Sequence, residues 1–210
     1  MKTILCYGDS NTYAYDPRNG LRYPKEVRWT TILQEALGEN YEIIVEGLSG
    51  RTTIYDRPDG AYKNGLTYLI PCIESHAPLD YIIFMLGTND CNTDLNLSVE
   101  DIKNGMEKLV ETVENDILNI QSFMPKIIII APASIGDNYL TSPFSDNLDD
   151  DSVKKSHEIA KEYMDIASRH NAIFLDCTKI LKVSTIDSEH LTIDSHRKLG
   201  MLLSDIIMKR

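Results

Sequence analysis

Five short apolar runs constrain this chain more than any other feature: "TILCY" (3–7), "YEIIVE" (41–46), "YIIFML" (81–86), "KIIIIA" (126–131) and "AIFLDC" (172–177). A strand with one wet face alternates apolar and polar residues, whereas a strand buried on both faces reads as a nearly continuous apolar run. Most of these runs are of the second kind. Between them lie segments with helical spacing, at 28–37, from 65 to before Pro78, at about 151–169 and at 194–208, where Leu199, Leu202, Leu203 and Ile206 form an apolar face. The clearest begins at Ser98 and Asp101, a relative of the capping box, and repeats Ile102, Met106, Leu109, Val113 and Ile117 at spacings of three and four. Strands alternating with helices imply βαβ units and a parallel sheet covered on both faces. The expected fold is therefore α/β: one domain over 1–210, a three-layer α/β/α sandwich around a five-stranded parallel sheet.

At 210 residues the chain is long enough to bury such a core without cross-links. Its formal net charge of −11 argues against nucleic acid or an anionic membrane as partner, since both reward basic patches. No run approaches the ~18 apolar residues of a membrane-spanning helix. The opening "MKTILCYGDS" has one lysine and a short apolar run without a small-residue cleavage site, so it reads as a first strand and the protein as cytoplasmic. Cys6, Cys72, Cys91 and Cys177 are scattered with no C-x-x-C pair, as expected of free thiols, several of them buried. The polar segment 134–151 ends in Asp149-Asp150-Asp151, which suits a helix N-terminus better than a metal site.

In open α/β sheets, ligands bind beyond the carboxyl ends of the strands. Gly8-Asp9-Ser10 follows the first run, Gly47-Leu48-Ser49-Gly50-Arg51 the second and Gly87-Thr88-Asn89-Asp90 the third, while Asp187-Ser188-Glu189-His190 lies past the fifth. The topology brings these four polar segments to one edge of the sheet. Gly, Asp and Ser are common turn-formers, so Ser10 by itself reads as a turn residue or as a nucleophile. A serine hydroxyl attacks only when a base takes its proton, and the base is commonly a histidine oriented by a carboxylate.

Of the five histidines, His157 and His170 fall in or at the end of a polar helix, and His76 ends a helix before Ala77-Pro78. His190 follows Asp187 by three residues, a spacing at which a turn can bring a carboxylate oxygen to Nδ1 and leave Nε2 free. His196, in the first turn of the last helix, competes for the same role. Acyl transfer also needs donors for the oxyanion. The Ser10 N–H, the Gly50 N–H and the Asn89 amide are candidates, and a plain tight turn and an Asx-turn are the alternatives for the last two. The chain lacks G-x-S-x-G ("GLSG" at 47–50 is one residue short), a Walker A loop, G-x-G-x-x-G and H-E-x-x-H. No cofactor or metal is expected.

Together, Gly8-Asp9-Ser10, Gly50, Gly87-Thr88-Asn89-Asp90 and Asp187-x-x-His190 resemble the SGNH hydrolase (GDSL esterase/lipase) superfamily. "VRWTTILQEALG", "EGLSGRTT", "LDYIIFMLGTND" and "DSEHLTIDSHRKLG" resemble its arylesterase/acyltransferase branch, so the likeness runs almost end to end. The resemblance implies a flavodoxin-like SGNH fold, Ser10 as nucleophile, His190 as general base and acid, Asp187 as its orienting carboxylate, and Ser10, Gly50 and Asn89 as the oxyanion hole. The implied partner is a small-molecule ester, acetyl esters foremost, and a thioesterase or lysophospholipase using the same triad is the alternative. A non-catalytic module holding anions in its Gly-containing loops is a reading of another class. Members of the branch can pass the acyl group to an alcohol and can form homo-oligomers, and both are open for this chain. Asn11 departs from the leucine of the GDSL motif and is expected to tune the local pocket. Tyr13 and Tyr15 could form a wall for the acyl or alcohol group, or simply pack the first helix turn.

Overall fold

The structure, a computed structural model, describes residues 1–209. In chain order its main elements are β1 (Lys2–Gly8), the one-turn helix α1 (Ser10–Tyr13), a small pair β2 (Tyr15–Asp16) and β3 (Leu21–Arg22), α2 (Trp29–Leu37) and β4 (Tyr41–Gly47). There follow α3 (Gly65–His76), β5 (Tyr81–Met85), α4 (Val99–Ile120), β6 (Lys126–Ala131), α5 (Asp150–Arg169), β7 (Ile173–Asp176) and α6 (Ile193–Met208). Each of the five apolar runs forms a strand of one parallel sheet, ordered β4-β1-β5-β6-β7.

Alternate residues of each strand supply two cores. Leu5 and Tyr7 of β1, Ile82 and Phe84 of β5 and Ile129 of β6 pack under α3, α4 and α5. Ile4 and Cys6, Ile83 and Met85, and Ile128 and Ile130 face α2 and α6 instead. Each such side chain stabilises the fold by about 1.5–3 kcal/mol when buried, and the edge strand β4, half-buried along most of its length, admits a charged residue, Glu42, within its apolar run. The four cysteines are free and buried, and burial pushes the Cys72 and Cys177 thiols up to about 12.

Local signals explain the helix starts. Ser98 Oγ accepts from the Asp101 N–H at 3.1 Å while Asp101 Oδ2 accepts from the Ser98 N–H at 2.8 Å, closing the capping box of α4. Asp149 caps α5 in the same manner through the Ser152 N–H (2.7 Å), with Asp150 and Asp151 in the first turn, so the acidic run is a helix start. Among the described residues no helix is long and apolar enough to cross a membrane.

The strand order places the functional edge. From β1 the chain moves outward to β4 with α2 on one face, then returns past β1 to β5 with α3 on the other. Loops leaving the carboxyl ends of β1 and β5 therefore diverge and open a crevice between them. Ser10 follows β1 and Asn89 follows β5.

Candidate active site

At the end of β1, Asp9 caps α1, its Oδ1 accepting from the Asn11 N–H at 2.9 Å, and Ser10 opens the helix. Across the crevice, His190 Nε2 lies 2.8 Å from Ser10 Oγ, and His190 Nδ1 lies 2.6 Å from Asp187 Oδ2. Asp187 Oδ1 accepts from the Glu189 and His190 N–H groups, both at 3.1 Å, so one carboxylate holds both the ring and the loop that carries it. With the carboxylate on Nδ1, that nitrogen keeps the proton and Nε2 is left to accept from the serine. The Tyr15 ring stacks at 4.2 Å on the imidazole, and Phe144 meets it edge-on at 5.8 Å.

The facing wall is built by Arg51. Its guanidinium lies 4.2 Å over the Tyr7 ring, and Nη1 donates to the carbonyls of Gly8 (3.0 Å) and Glu46. The loop after β4 is thereby tied to the end of β1, which brings Gly50, in the left-handed region at φ 81°, beside Ser10. Asn89 Nδ2 donates to the Arg51 carbonyl at 3.0 Å, which fixes the amide while leaving its second proton for the cleft. Below it, Asp90 accepts from the Thr53 N–H at 3.0 Å, and burial pushes its carboxyl to about 6. Burial pushes Asp9 further, to about 7. The walls enclose a cavity of about 270 Å³ lined by Ser10, Tyr15, Gly50, Asn89, Phe144 and His190, among others.

The structure thus gathers Ser10, Asp187, His190, Gly50, Asn89 and Tyr15. Tyr13 is a correction: it does not line the cavity, and its ring lies 4.7 Å from the Arg22 guanidinium. The cause is Ala14, which adopts φ 69° and reverses the chain, so that Tyr15 rather than Tyr13 turns over the cleft. His196, the competitor for His190, is fully buried, and Nδ1 accepts from the Trp29 N–H at 3.4 Å. Burial holds it down at about 3, as a neutral core residue. His157 is exposed, His170 sits between Glu107 and Glu114, and His76 pairs with Glu46 at 2.9 Å. Cys72 joins that last pair in a group whose ligand atoms lie within 4.8 Å of one another, outside the cavity.

Three contributors have roles that the sequence did not show, among them Asn11, which was expected to tune the local pocket. Phe144 comes from the polar segment before α5. Asn11 does not line the cavity; its Nδ2 donates to the Glu189 carbonyl (3.2 Å) and its Oδ1 accepts from the Leu191 N–H (2.9 Å), so it clamps the loop on both sides of His190. Trp29 supports the clamp by donating from Nε1 to the Asn11 carbonyl at 3.1 Å. The third is Glu189, which lines the cavity.

A serine, a histidine and a carboxylate in series at the switch point of a parallel sheet is an arrangement suited to ester cleavage. The chain belongs to the GDSL-like lipase/acylhydrolase family, whose sequence profile matches residues 6–197, and it is a carboxylic ester hydrolase. Among solved structures, it is similar to a carbohydrate acetylesterase from Sinorhizobium meliloti, at 34% identity and TM-score 0.93 over 100% of this chain and 99% of that one. An aryl esterase from M. smegmatis gives 33% identity and TM-score 0.92 over 100% and 99% of the two chains. A putative arylesterase from Agrobacterium tumefaciens gives 32% and 0.88 over the same shares. No curated protein sequence matches the chain.

Proposed function

We propose that the protein is a serine esterase that cleaves small acyl esters, acetyl esters foremost, through an acyl-Ser10 intermediate. One observation carries the reading: the unbroken series from Ser10 Oγ to His190 Nε2 (2.8 Å) and from His190 Nδ1 to Asp187 Oδ2 (2.6 Å), opening into a cavity. Ser10 Oγ attacks the ester carbonyl carbon as His190 Nε2 takes the hydroxyl proton. The Ser10 and Gly50 N–H groups and the Asn89 amide receive the charge that gathers on the carbonyl oxygen. Asp187 stabilises the imidazolium. Collapse expels the alcohol, which takes the proton from His190. Water, deprotonated by His190, then attacks the acyl-enzyme, releasing the acid and restoring Ser10.

An alcohol in place of water gives acyl transfer by the same steps. A cavity of about 270 Å³ favours a short acyl group over a fatty chain, and similarity to a carbohydrate acetylesterase supports an acetyl preference. The chemistry needs a small-molecule ester and no cofactor, nucleic acid or membrane. We place it in the cytoplasm, where four buried thiols stay reduced. Light scattering decides whether copies assemble into a homo-oligomer.

The test is hydrolysis of p-nitrophenyl acetate against p-nitrophenyl decanoate by wild type and Ser10→Ala. Acetate turnover that vanishes in the variant is expected. Turnover surviving in Ser10→Ala would refute the nucleophile, and a preference for decanoate would favour a thioesterase or lysophospholipase.

A further inference from the structure

Glu189 lies between Asp187 and His190 in the chain and lines the same cavity as Ser10 and Asn89. Its backbone is held from both sides, the N–H by Asp187 Oδ1 (3.1 Å) and the carbonyl by Asn11 Nδ2 (3.2 Å). The side chain therefore has little freedom to swing out, and the residue is only 7% exposed. Yet its carboxyl makes no hydrogen bond or ion pair among the described residues. The cation that acts on it, Arg57, lines the same cavity and pairs through Nε with Asp59 (3.1 Å) and through Nη2 with Asp94 (3.1 Å), while its Nη1 has no partner. Burial, reinforced by the negative charges of Asp187 and Asp9, pushes the carboxyl to about 8. In its protonated form the carboxyl can both donate and accept.

Three further residues lining the same cavity have a buried polar atom without a partner, Thr88 at Oγ1, Asn92 at Oδ1 and Arg57 at Nη1. Polar groups withdrawn from water without a partner are costly, and natural proteins keep few of them without a use. A carboxyl directed into a reaction cavity is satisfied by whatever occupies that cavity. A hydroxyl offers it a donor and an acceptor at once. An alkyl group would strip its water and return nothing.

We propose that Glu189, with Asn92 beside it, forms a polar subsite that recognises a neutral hydroxyl carried next to the scissile ester, so that hydroxyl-bearing esters are preferred over alkyl esters of the same size. The proposal rests on the serine-esterase reading and makes Glu189 the residue that discriminates among its substrates. The hydroxyl can belong to the alcohol half or to the acyl half of the ester, and two substrate pairs separate these cases.

The experiment compares kcat/KM for glycerol monoacetate with propyl acetate, and for ethyl lactate with ethyl propanoate, in wild type, Glu189→Gln and Glu189→Leu. Wild type should favour the hydroxylated member of one pair about tenfold, the scale of one hydrogen bond. Glu189→Gln, which retains a donor and an acceptor, should keep most of that ratio, and Glu189→Leu should bring it close to one. Where Glu189→Leu does not fold, Glu189→Ala gives the same ratio with less bulk. A wild-type ratio near one in both pairs overturns the proposal, as does a ratio that survives removal of the carboxyl. Failure of the esterase reading shows separately, as p-nitrophenyl acetate turnover that persists in Ser10→Ala.

Discussion

Asn11 links the two halves of the catalytic constellation. It follows Ser10 in the chain, yet its side-chain amide bonds to residues 189 and 191, on either side of His190. The separation between Ser10 and His190 is thus set in part by one buried side chain rather than left to the flexibility of a long loop. Asn11→Leu keeps the bulk but strands the Leu191 N–H and the Glu189 carbonyl, at a cost of about 1–3 kcal/mol each. We expect kcat to fall about tenfold or more with KM little changed, because misplacement of a catalytic group is felt in the chemical step. Steady-state kinetics at the wild-type kcat would show that the clamp is dispensable. Asn89→Ala should lower kcat about 10²–10³-fold, as for loss of one oxyanion donor. Because Asn89 also holds the Arg51 carbonyl, its melting temperature must be measured alongside.

At the scale of elements, the seat of α1 is a glycine. A Cβ on Gly47, the last residue of β4, would lie 2.1 Å from the Tyr13 nitrogen and 2.5 Å from the Thr12 carbonyl carbon. No flexible side-chain tip is available to yield there, so Gly47→Ala must displace the helix that carries Ser10. We expect a loss of about 1–3 kcal/mol in urea unfolding, and a fall in kcat larger than the remaining folded fraction explains. Normal activity per folded molecule would show that α1 tolerates the shift. The strands and long helices were legible in the sequence because two-sided burial and helical periodicity each leave a pattern many residues long. The β2–β3 pair was not, since strands of two residues have no periodicity to detect. The turn at Ala14 was equally hidden, because its left-handed backbone falls on a residue type that gives no warning, and the choice between Tyr13 and Tyr15 was lost with it. Ser10, Asp187 and His190 were visible through short motifs at strand ends. Asn11 and Glu189 act through contacts that only the folded chain brings together.

For the whole molecule, the buried acids make stability depend on pH in an unusual direction. Asp90, Asp9 and Glu189 are raised to about 6, 7 and 8 from ordinary values of 3.8, 3.8 and 4.5. The folded state holds these protons more tightly than the unfolded chain, so each group's stabilisation is lost as pH rises through its folded value. His196 works oppositely, its folded value of about 3 lying below 6.5, and its contribution is lost only as pH falls below about 6.5. The urea midpoint should therefore decline as pH rises from about 4.5 to about 8, most clearly above 6.5 where His196 no longer opposes, and Glu189→Gln should decline less. Equal slopes for wild type and variant would show that Glu189 ionises freely in the fold.

Ser10 and His190 stand 180 positions apart, and the helix that follows His190 closes the second core against Trp29 and Leu33. A ribosome delivers the hydroxyl 180 residues before the imidazole. Until His190 emerges the nascent chain bears an ordinary alcohol at Ser10, and on the proposed mechanism hydrolytic power waits for the helix after His190 to dock.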